Sequence, residues 1–150
     1  MSHISLLEFS ERINEIMPVL MKEFSRHLLK GVHKVTLPQL FVLQFLHDGG
    51  ETKMTDLAHF MNVSTAAMTG IVERLVRDGY VVRAPDSQDR RIIKIRLTSR
   101  GASLIKVINE QKRQMIVKVF GKVSERDRSD YLRILIKIKD VLIKDKKFPV

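Results

Sequence analysis

The sequence contains no cysteine, and none of its apolar runs approaches the roughly 18 residues that a membrane-spanning helix needs. The lack of cysteine excludes a disulfide framework, a thiolate zinc site and a cysteine redox switch. The N-terminus has no basic segment followed by an apolar one, so we expect no signal peptide, no membrane partner and a cytoplasmic location. Repeats, low-complexity segments and flexible linkers are also missing.

Motifs of enzymes are missing as well. The sequence shows no nucleophile elbow, phosphate-binding loop, metal-ligand cluster or paired carboxylates in a plausible cleft. Glu23 and His27 stand one helical turn apart and would supply half a metal site, but two ligands do not make a closed site. We therefore predict a protein that is not an enzyme and that needs neither a metal nor another cofactor.

What the chain does have is positive charge. Its 150 residues, 44% hydrophobic and 29% charged, are typical of one globular domain spanning residues 1–150. The net charge of +10 favours an acidic partner, either nucleic acid or an anionic surface. Most of the excess lies in residues 101–150, where thirteen Lys and Arg face six Asp and Glu. A solvated lysine-rich helix face is the alternative interpretation of that part.

The segment Thr55–Gly101 predicts a helix, a tight turn, a second helix and a β-hairpin. Thr55 or Asp56 is expected to cap the first of these helices, whose Leu57, Ala58, Phe60 and Met61 would face inward. In the second helix one stripe has the spacing of a buried face: Met68, Ile71, Val72, Leu75 and Val76. The opposite face carries small polar or cationic residues suited to a DNA major groove: Ala66, Thr69, Gly70, Glu73, Arg74 and Arg77.

The hairpin begins at Tyr80 and returns over Arg91–Leu97, with a polar turn at residues 85–88. Its basic side chains outnumber the two nearby acids, Asp86 and Asp89. They are Arg83, Arg90, Arg91, Lys94 and Arg96, with Arg100 nearby. A helix-turn-helix followed by a basic hairpin is a winged helix.

Helices are predicted on both sides of this unit. Leu6–Leu29 is a long amphipathic helix that Pro18 is expected to bend or to split. Another starts near Pro38, one capped by Thr98 runs to about Lys122, and a last one spans about Glu125–Asp145. The last helix is apolar around more than one stripe and has to be covered on more than one side. We infer a homodimer formed by the first and last helices.

The predicted fold is therefore mainly α with a small β-hairpin wing, a winged helix-turn-helix with N- and C-terminal dimerisation helices. Residues 36–100 form the DNA-binding unit, and residues 1–30 and 101–150 the dimerisation region. A winged-helix module that binds proteins and not specific DNA is the alternative.

The ordered series LAHFMNVSTAAMTGIVERLVRDGYVVRAPDSQDRRIIKIRLTSRG resembles the multiple antibiotic resistance regulator (MarR) family. The resemblance rests on Asp89, Arg90 and Arg91 after a turn, followed by a strand and then by Leu97, Thr98 and Gly101. It rests also on the end of the preceding helix, with Arg74, Leu75, Asp78, Gly79 and Tyr80. It covers essentially the whole chain. It implies a winged-helix homodimer that binds a pseudo-palindromic double-stranded DNA operator, usually to repress transcription, and releases it when a small-molecule effector binds.

The resemblance also assigns residue roles. Asp89 would hold Arg91, which enters the minor groove, while Arg90 lies near phosphates. The recognition helix would run from Ser64 to Arg77, with Gly70 where many members have an arginine. Base contacts would then fall to three residues, Thr65, Ala66 and Thr69. The glycine would alternatively allow close approach to the duplex.

For several residues the sequence leaves alternative roles open. Asp89 alternatively shapes the turn through its own backbone. Arg74 and Arg77 contact phosphates or pair with neighbouring acids. Phe24, Phe41 and several methionines would line an effector pocket, which the sequence does not locate. The predicted DNA-binding residues are Ser64, Thr65, Ala66, Thr69, Gly70, Arg74, Arg77, Asp89, Arg90 and Arg91.

Overall fold

The computed structural model describes residues 4–28 and 35–144. In order they form α1 (Leu6–Leu28), α2 (Leu37–Gly49), β1 (Thr52–Lys53), α3 (Met54–Phe60), α4 (Thr65–Arg77), β2 (Val81–Pro85), β3 (Ile93–Leu97), α5 (Ser99–Phe120) and α6 (Glu125–Lys144). The predicted fold class, mainly helical with a small hairpin, is confirmed. Within the described ranges, every helix is too short or too polar to cross a bilayer.

The chain divides into two compact units, Met1–Gln111 and Lys112–Val150. The first contains the helix-turn-helix, the sheet and the start of α5. The second contains the rest of α5 and α6. That residues 1–150 act as one domain, with residues 36–100 as the DNA-binding part, stays a prediction.

The hydrophobic core of the first unit lies between α2, α3, α4, the sheet and the start of α5. Met68, Val72 and Leu75 of α4 are completely buried in it. Ile71 is half-buried and Val76 is 38% exposed, so the predicted stripe is narrower than five residues. At about 100° per residue, Val76 lies about 80° around the helix from Met68, which is the edge of a buried face.

Thr36 begins α2 through a capping box. Its backbone N–H donates to Gln39 Oε1 (2.8 Å), and its hydroxyl accepts from the Gln39 N–H (3.5 Å). Pro38 lies in the first turn, where a missing N–H costs nothing, which confirms the predicted start. Gly50 follows the helix at φ 80°, a conformation that favours glycine.

Two predictions for α3 are wrong. The helix begins at Met54, after an N-cap at Lys53 that makes no side-chain cap bond, and not at Thr55 or Asp56. Lys53 is held extended in β1, so the helix starts where the strand ends. Phe60, the last residue of α3, is 51% exposed, and its ring packs on Phe45 with 4.4 Å between centroids.

The three strands form an antiparallel sheet in the order β1-β3-β2. Thr52 pairs with Ile95, and Val81 and Pro85 pair with Leu97 and Ile93. Strand β3 starts two residues later than predicted because Arg91 and Ile92 belong to the hairpin loop.

The first and last helices, α1 and α6, both carry exposed apolar side chains. Helix α1 is continuous through Pro18, so the predicted split does not occur; an exposed proline in a long helix removes only one hydrogen bond. No residue of α6 is buried. Ser124 caps α6, accepting a hydrogen bond from the Asp127 N–H at 3.2 Å. The predicted end of that helix at Asp145 lies outside the described residues.

Candidate nucleic-acid interface

The recognition helix α4 starts from a side-chain cap. The Ser64 hydroxyl accepts a hydrogen bond from the Ala67 N–H at 3.1 Å, so Ser64 satisfies one of the free amides of the first turn. Asn62, at φ 50°, makes the sharp turn from α3. This geometry leaves the first turn of α4 exposed at Thr65, Ala66 and Ala67.

The two threonines of the free face differ in their availability. Thr69 donates its hydroxyl hydrogen to the Thr65 carbonyl oxygen (2.8 Å), so its side-chain oxygen can only accept from a ligand. Thr65 is exposed, and its side chain has no hydrogen bond within the described part of the chain. Both are candidates for base-edge contact, and the Thr65 hydroxyl is available to a ligand as a donor as well as an acceptor.

Gly70 lies in the middle of the same helix, half-buried. A Cβ built on it would meet no atom within 4 Å, so the packing of the chain does not require a glycine there. A glycine inside a helix costs about 1 kcal/mol relative to alanine. The helix is therefore less stable than it would be with alanine, for which there is room. At this position its surface is bare backbone.

We expect Gly70→Ala to raise the free energy of unfolding by about 0.5–1 kcal/mol, because it removes backbone freedom without a clash. Chemical denaturation at one protein concentration measures the change. If close approach of the duplex needs the bare backbone, the same variant binds DNA more weakly while it unfolds at higher denaturant. An unfolding free energy below that of the unsubstituted protein would contradict the open space seen around Gly70.

The two arginines at the end of α4 are in different states. Arg77 is held by its neighbour Asp78, with Nε–Oδ1 and Nη2–Oδ2 distances of 3.0 and 3.4 Å, and this hydrogen bonding raises its pKa. Intramolecular pairing, the alternative considered for Arg77, is what the structure shows. Arg74 is exposed, and no acid among residues 4–28 and 35–144 pairs with it. Arg74 is therefore the freer of the two for phosphate contact.

The wing loop, residues 86–92, is built around Asp86. Its Oδ1 accepts hydrogen bonds from the N–H groups of Gln88 (2.8 Å) and Asp89 (3.0 Å), and its own N–H donates to the Ile92 carbonyl (2.8 Å). The residue is only 9% exposed. Asp86 was not among the predicted site residues. An aspartate followed by Ser87 and Gln88 is typical of an Asx turn, which was the available signal.

Asp86 is ionised throughout the neutral range. Its hydrogen bond with Lys94, followed by those from the two backbone amides, lowers its pKa to about 2. A lowered carboxylate pKa contributes stability at every pH above its unfolded value near 4, and this contribution is lost as the pH falls toward 2. The loop therefore keeps this anchor at physiological pH.

Asp89 does not hold the guanidinium of Arg91. Its Oδ1 accepts from the backbone N–H of Arg91 at 3.0 Å, and its carbonyl oxygen accepts from Ile92 (3.0 Å). The prediction that Asp89 orients the arginine side chain does not match this structure, which shows the alternative, a turn-shaping Asx contact. In a loop this tight the carboxylate reaches the amide two residues on more readily than a side chain that points outward.

Arg90 and Arg91 form the wing tip. Both are exposed, and among the described residues neither guanidinium has an ion-pair partner. Free arginines at a projecting tip suit a narrow, strongly negative groove. Contact of these two arginines with DNA stays a prediction. The same holds for the predicted DNA contacts of α4.

Three other cations in or next to the hairpin are engaged within the protein, contrary to the expectation that only Asp86 and Asp89 oppose them. Lys94 pairs with Asp86 and with Glu51. Arg83 lies 3.9 Å from Glu73 of α4, and Arg100 lies over the Tyr80 ring, 5.0 Å from its centroid. Arg96 of β3 is exposed and has no ion-pair partner among the described residues, so the free positive charge of the hairpin lies at Arg96 and at the tip.

Glu23 and His27 do not come together as metal ligands. His27 Nδ1 donates to the Glu23 carbonyl oxygen (2.8 Å), while the Glu23 carboxylate pairs with Arg26. In the described parts of the chain no three histidine or acidic residues cluster in a way that could hold a metal ion.

Comparison with known proteins gives consistent matches. A model of the MarR family matches residues 35–93, which include the helix-turn-helix and most of the wing. The transcriptional repressor NicR of Pseudomonas putida is 32% identical over 127 residues, 81% of this chain and 80% of that protein.

Two solved structures extend the match to the fold. A MarR family protein of Bacillus stearothermophilus has a TM-score of 0.80 at 24% identity, with 92% of this chain and 96% of that chain covered. BpsR of Bordetella bronchiseptica has a TM-score of 0.66 at 24% identity, with 88% and 96% covered. These two likenesses concern the arrangement of helices and strands.

Proposed function

Because the chain belongs to the MarR family of transcriptional regulators, we propose that it is a repressor that binds a pseudo-palindromic operator as a homodimer. A small-molecule effector releases it from the DNA. One observation carries the proposal. Two exposed arginines, which have no ion-pair partner among the described residues, stand at the tip of a wing loop that Asp86 holds through hydrogen bonds.

The two projecting parts of the winged unit have complementary tasks in this proposal. Helix α4 enters the major groove with Thr65, Ala66 and Thr69 at its leading end, close to the capping Ser64. Arg91 enters the adjacent minor groove, and Arg90 lies at the phosphates. Arg74 adds a phosphate contact from the far end of α4, whereas Arg77 has to leave Asp78 to do the same.

The homodimer is supported by the apolar surface of the outer helices. Helix α6 has no buried residue, yet large apolar side chains follow most of its length. A surface of this kind is rarely left in water. Helix α1 is also widely exposed at apolar positions, among them Leu20. We therefore propose that both helices pack against their copies in a second chain, which pairs two winged units.

Release by an effector is proposed by analogy with a relative. Regulation of DNA binding by 6-hydroxynicotinic acid is described for BpsR. For this chain we propose only a small molecule that binds the regulator and weakens its hold on DNA, and we assign no residues to its site.

Selection of duplexes from a random-sequence pool tests the proposal. We expect the protein to enrich an inverted repeat whose half-sites lie about one helical turn, or a multiple of it, apart. Affinity for that duplex should fall by about 10³–10⁵ between roughly 50 and 200 mM salt, because a dimer with six to ten phosphate contacts releases that many counterions. A protein-interaction module would show no preference for any duplex over random DNA at physiological salt.

A further inference from the structure

A row of alternating charges crosses the outer face of the sheet. Lys94, in the central strand β3, lies between Lys53 of β1 and Ala84 of β2 in register. Its Nζ contacts two carboxylates, one next to the end of each neighbouring strand. On one side this is Glu51, just before β1, at 3.3 Å; on the other it is Asp86, just after β2. One ammonium group thus ties the α2–β1 corner to the base of the wing loop.

The side chain of Lys94 is built into the protein and is not offered to a ligand. It is 25% exposed, against 10% for Asp86 and 41% for Glu51. Hydrogen bonding to Asp86, more than to Glu51, raises the pKa of Lys94. A lysine with two of its three donors on carboxylates has little left for a phosphate. Its charge therefore belongs to the internal structure of the wing.

The carboxylate that Lys94 neutralises is the one that organises the loop. Asp86 Oδ1 accepts from the amides of Gln88 and Asp89, which immediately precede the two wing-tip arginines. A nearly buried carboxylate that loses its cation is drawn back toward water, because an unpaired buried charge is costly. The amides of the loop then lose their acceptor, and the direction in which the arginines project is no longer set.

We propose that the Glu51–Lys94–Asp86 bridge positions the wing, and that Lys94 acts on DNA binding only through Arg91. This deepens the proposed function and rests on it. It gives a basic residue of the hairpin a role other than contact with DNA. The rigid tip reaches the duplex without first losing conformational freedom, which is the advantage of a preorganised binding group.

Hydrogen exchange on the full-length protein without DNA tests the positioning step. We expect Lys94→Met to speed exchange of the Gln88 and Asp89 amides by about tenfold, since local opening of the loop becomes easier. Lys94→Arg should restore protection, because its guanidinium can donate to both carboxylates. Lys53→Met removes the same charge from the same face of the sheet without touching the bridge, and should leave both amides unchanged. Unaltered protection in Lys94→Met would overturn the proposal.

A double-mutant cycle with Arg91→Ala tests the route to DNA, with the duplex that the unsubstituted protein selects as the probe. We expect Lys94→Met alone to weaken binding by about fivefold and to change it less than about twofold in the Arg91→Ala background, as coupled residues do. Equal losses in both backgrounds would mean that Lys94 contacts DNA itself, and would overturn the proposal. If no duplex is selected, the proposed function fails, whereas lost amide protection still supports the bridge.

Discussion

Gly101→Ala is expected to destabilise the protein by about 2–4 kcal/mol, with a fall in melting temperature of about 5–15 °C. Gly101 lies in the first turn of α5 and is buried. A Cβ at this position would stand 2.1 Å from the Tyr80 carbonyl oxygen and 3.1 Å from Leu97 Cδ2. The first of these contacts is with backbone, so no side-chain rotation relieves it.

The junction that Gly101 occupies leaves little room for adjustment. The Thr98 hydroxyl donates to the Gly79 carbonyl oxygen (2.7 Å) and accepts from the Gly101 N–H (3.1 Å), while the Thr98 N–H donates to the Tyr80 carbonyl oxygen (3.1 Å). A methyl group forces the start of α5 away from Tyr80 and breaks these bonds. Thermal unfolding followed by circular dichroism measures the loss.

The matched control for Gly101→Ala is Gly70→Ala, the same change in another helix where the added methyl group meets nothing. The two variants should move the melting temperature in opposite directions. Both have to be compared at one protein concentration, since a dimer's stability depends on it. If Gly101→Ala melted with the unsubstituted protein, the close approach of α5 to the Tyr80 carbonyl would be wrong.

The sequence predicts most of the fold because its helix signals are local. Thr36 with Gln39, Ser64, Thr98 and Ser124 each stand where a helix begins, and side-chain caps act over three residues. The predicted start of α3 was wrong because no side-chain cap determines where this helix begins. It is set by the pairing of Lys53 with Lys94, 41 positions away in this numbering, and such pairing is not visible in a local pattern.

The sequence predicts which two parts of the chain project from the candidate site. Spacing and charge locate the exposed face of α4 and the basic wing tip. They do not tell which cations are already paired. Lys94 and Arg90 look alike in the sequence, yet one is bound by Glu51 and Asp86 while the other has no acid beside it in the described structure. That difference depends on the register of the strands in the sheet. A shift of one residue would place the Lys94 side chain on the other face.

The wing tip carries the two exposed arginines on which the proposed function depends. We expect Arg91→Ala to weaken operator binding by about 1–3 kcal/mol and to leave the oligomeric state unchanged. Its guanidinium has no partner to lose among the described residues, so the folded state should be as stable as before. A mobility-shift titration measures the affinity, and sedimentation measures the assembly.

Two controls separate a groove contact from a general effect of charge. Arg90→Ala removes the same charge from the adjacent position; as a phosphate contact it should weaken binding to all duplexes alike. Arg91 is proposed to sense the narrow minor groove of A·T-rich DNA, so exchanging A·T for G·C pairs beneath the wing should weaken the unsubstituted protein and scarcely affect Arg91→Ala. An Arg91→Ala protein that still prefers the A·T-rich duplex would show that the preference arises elsewhere, at the Thr65 end of α4 or in the stiffness of the DNA.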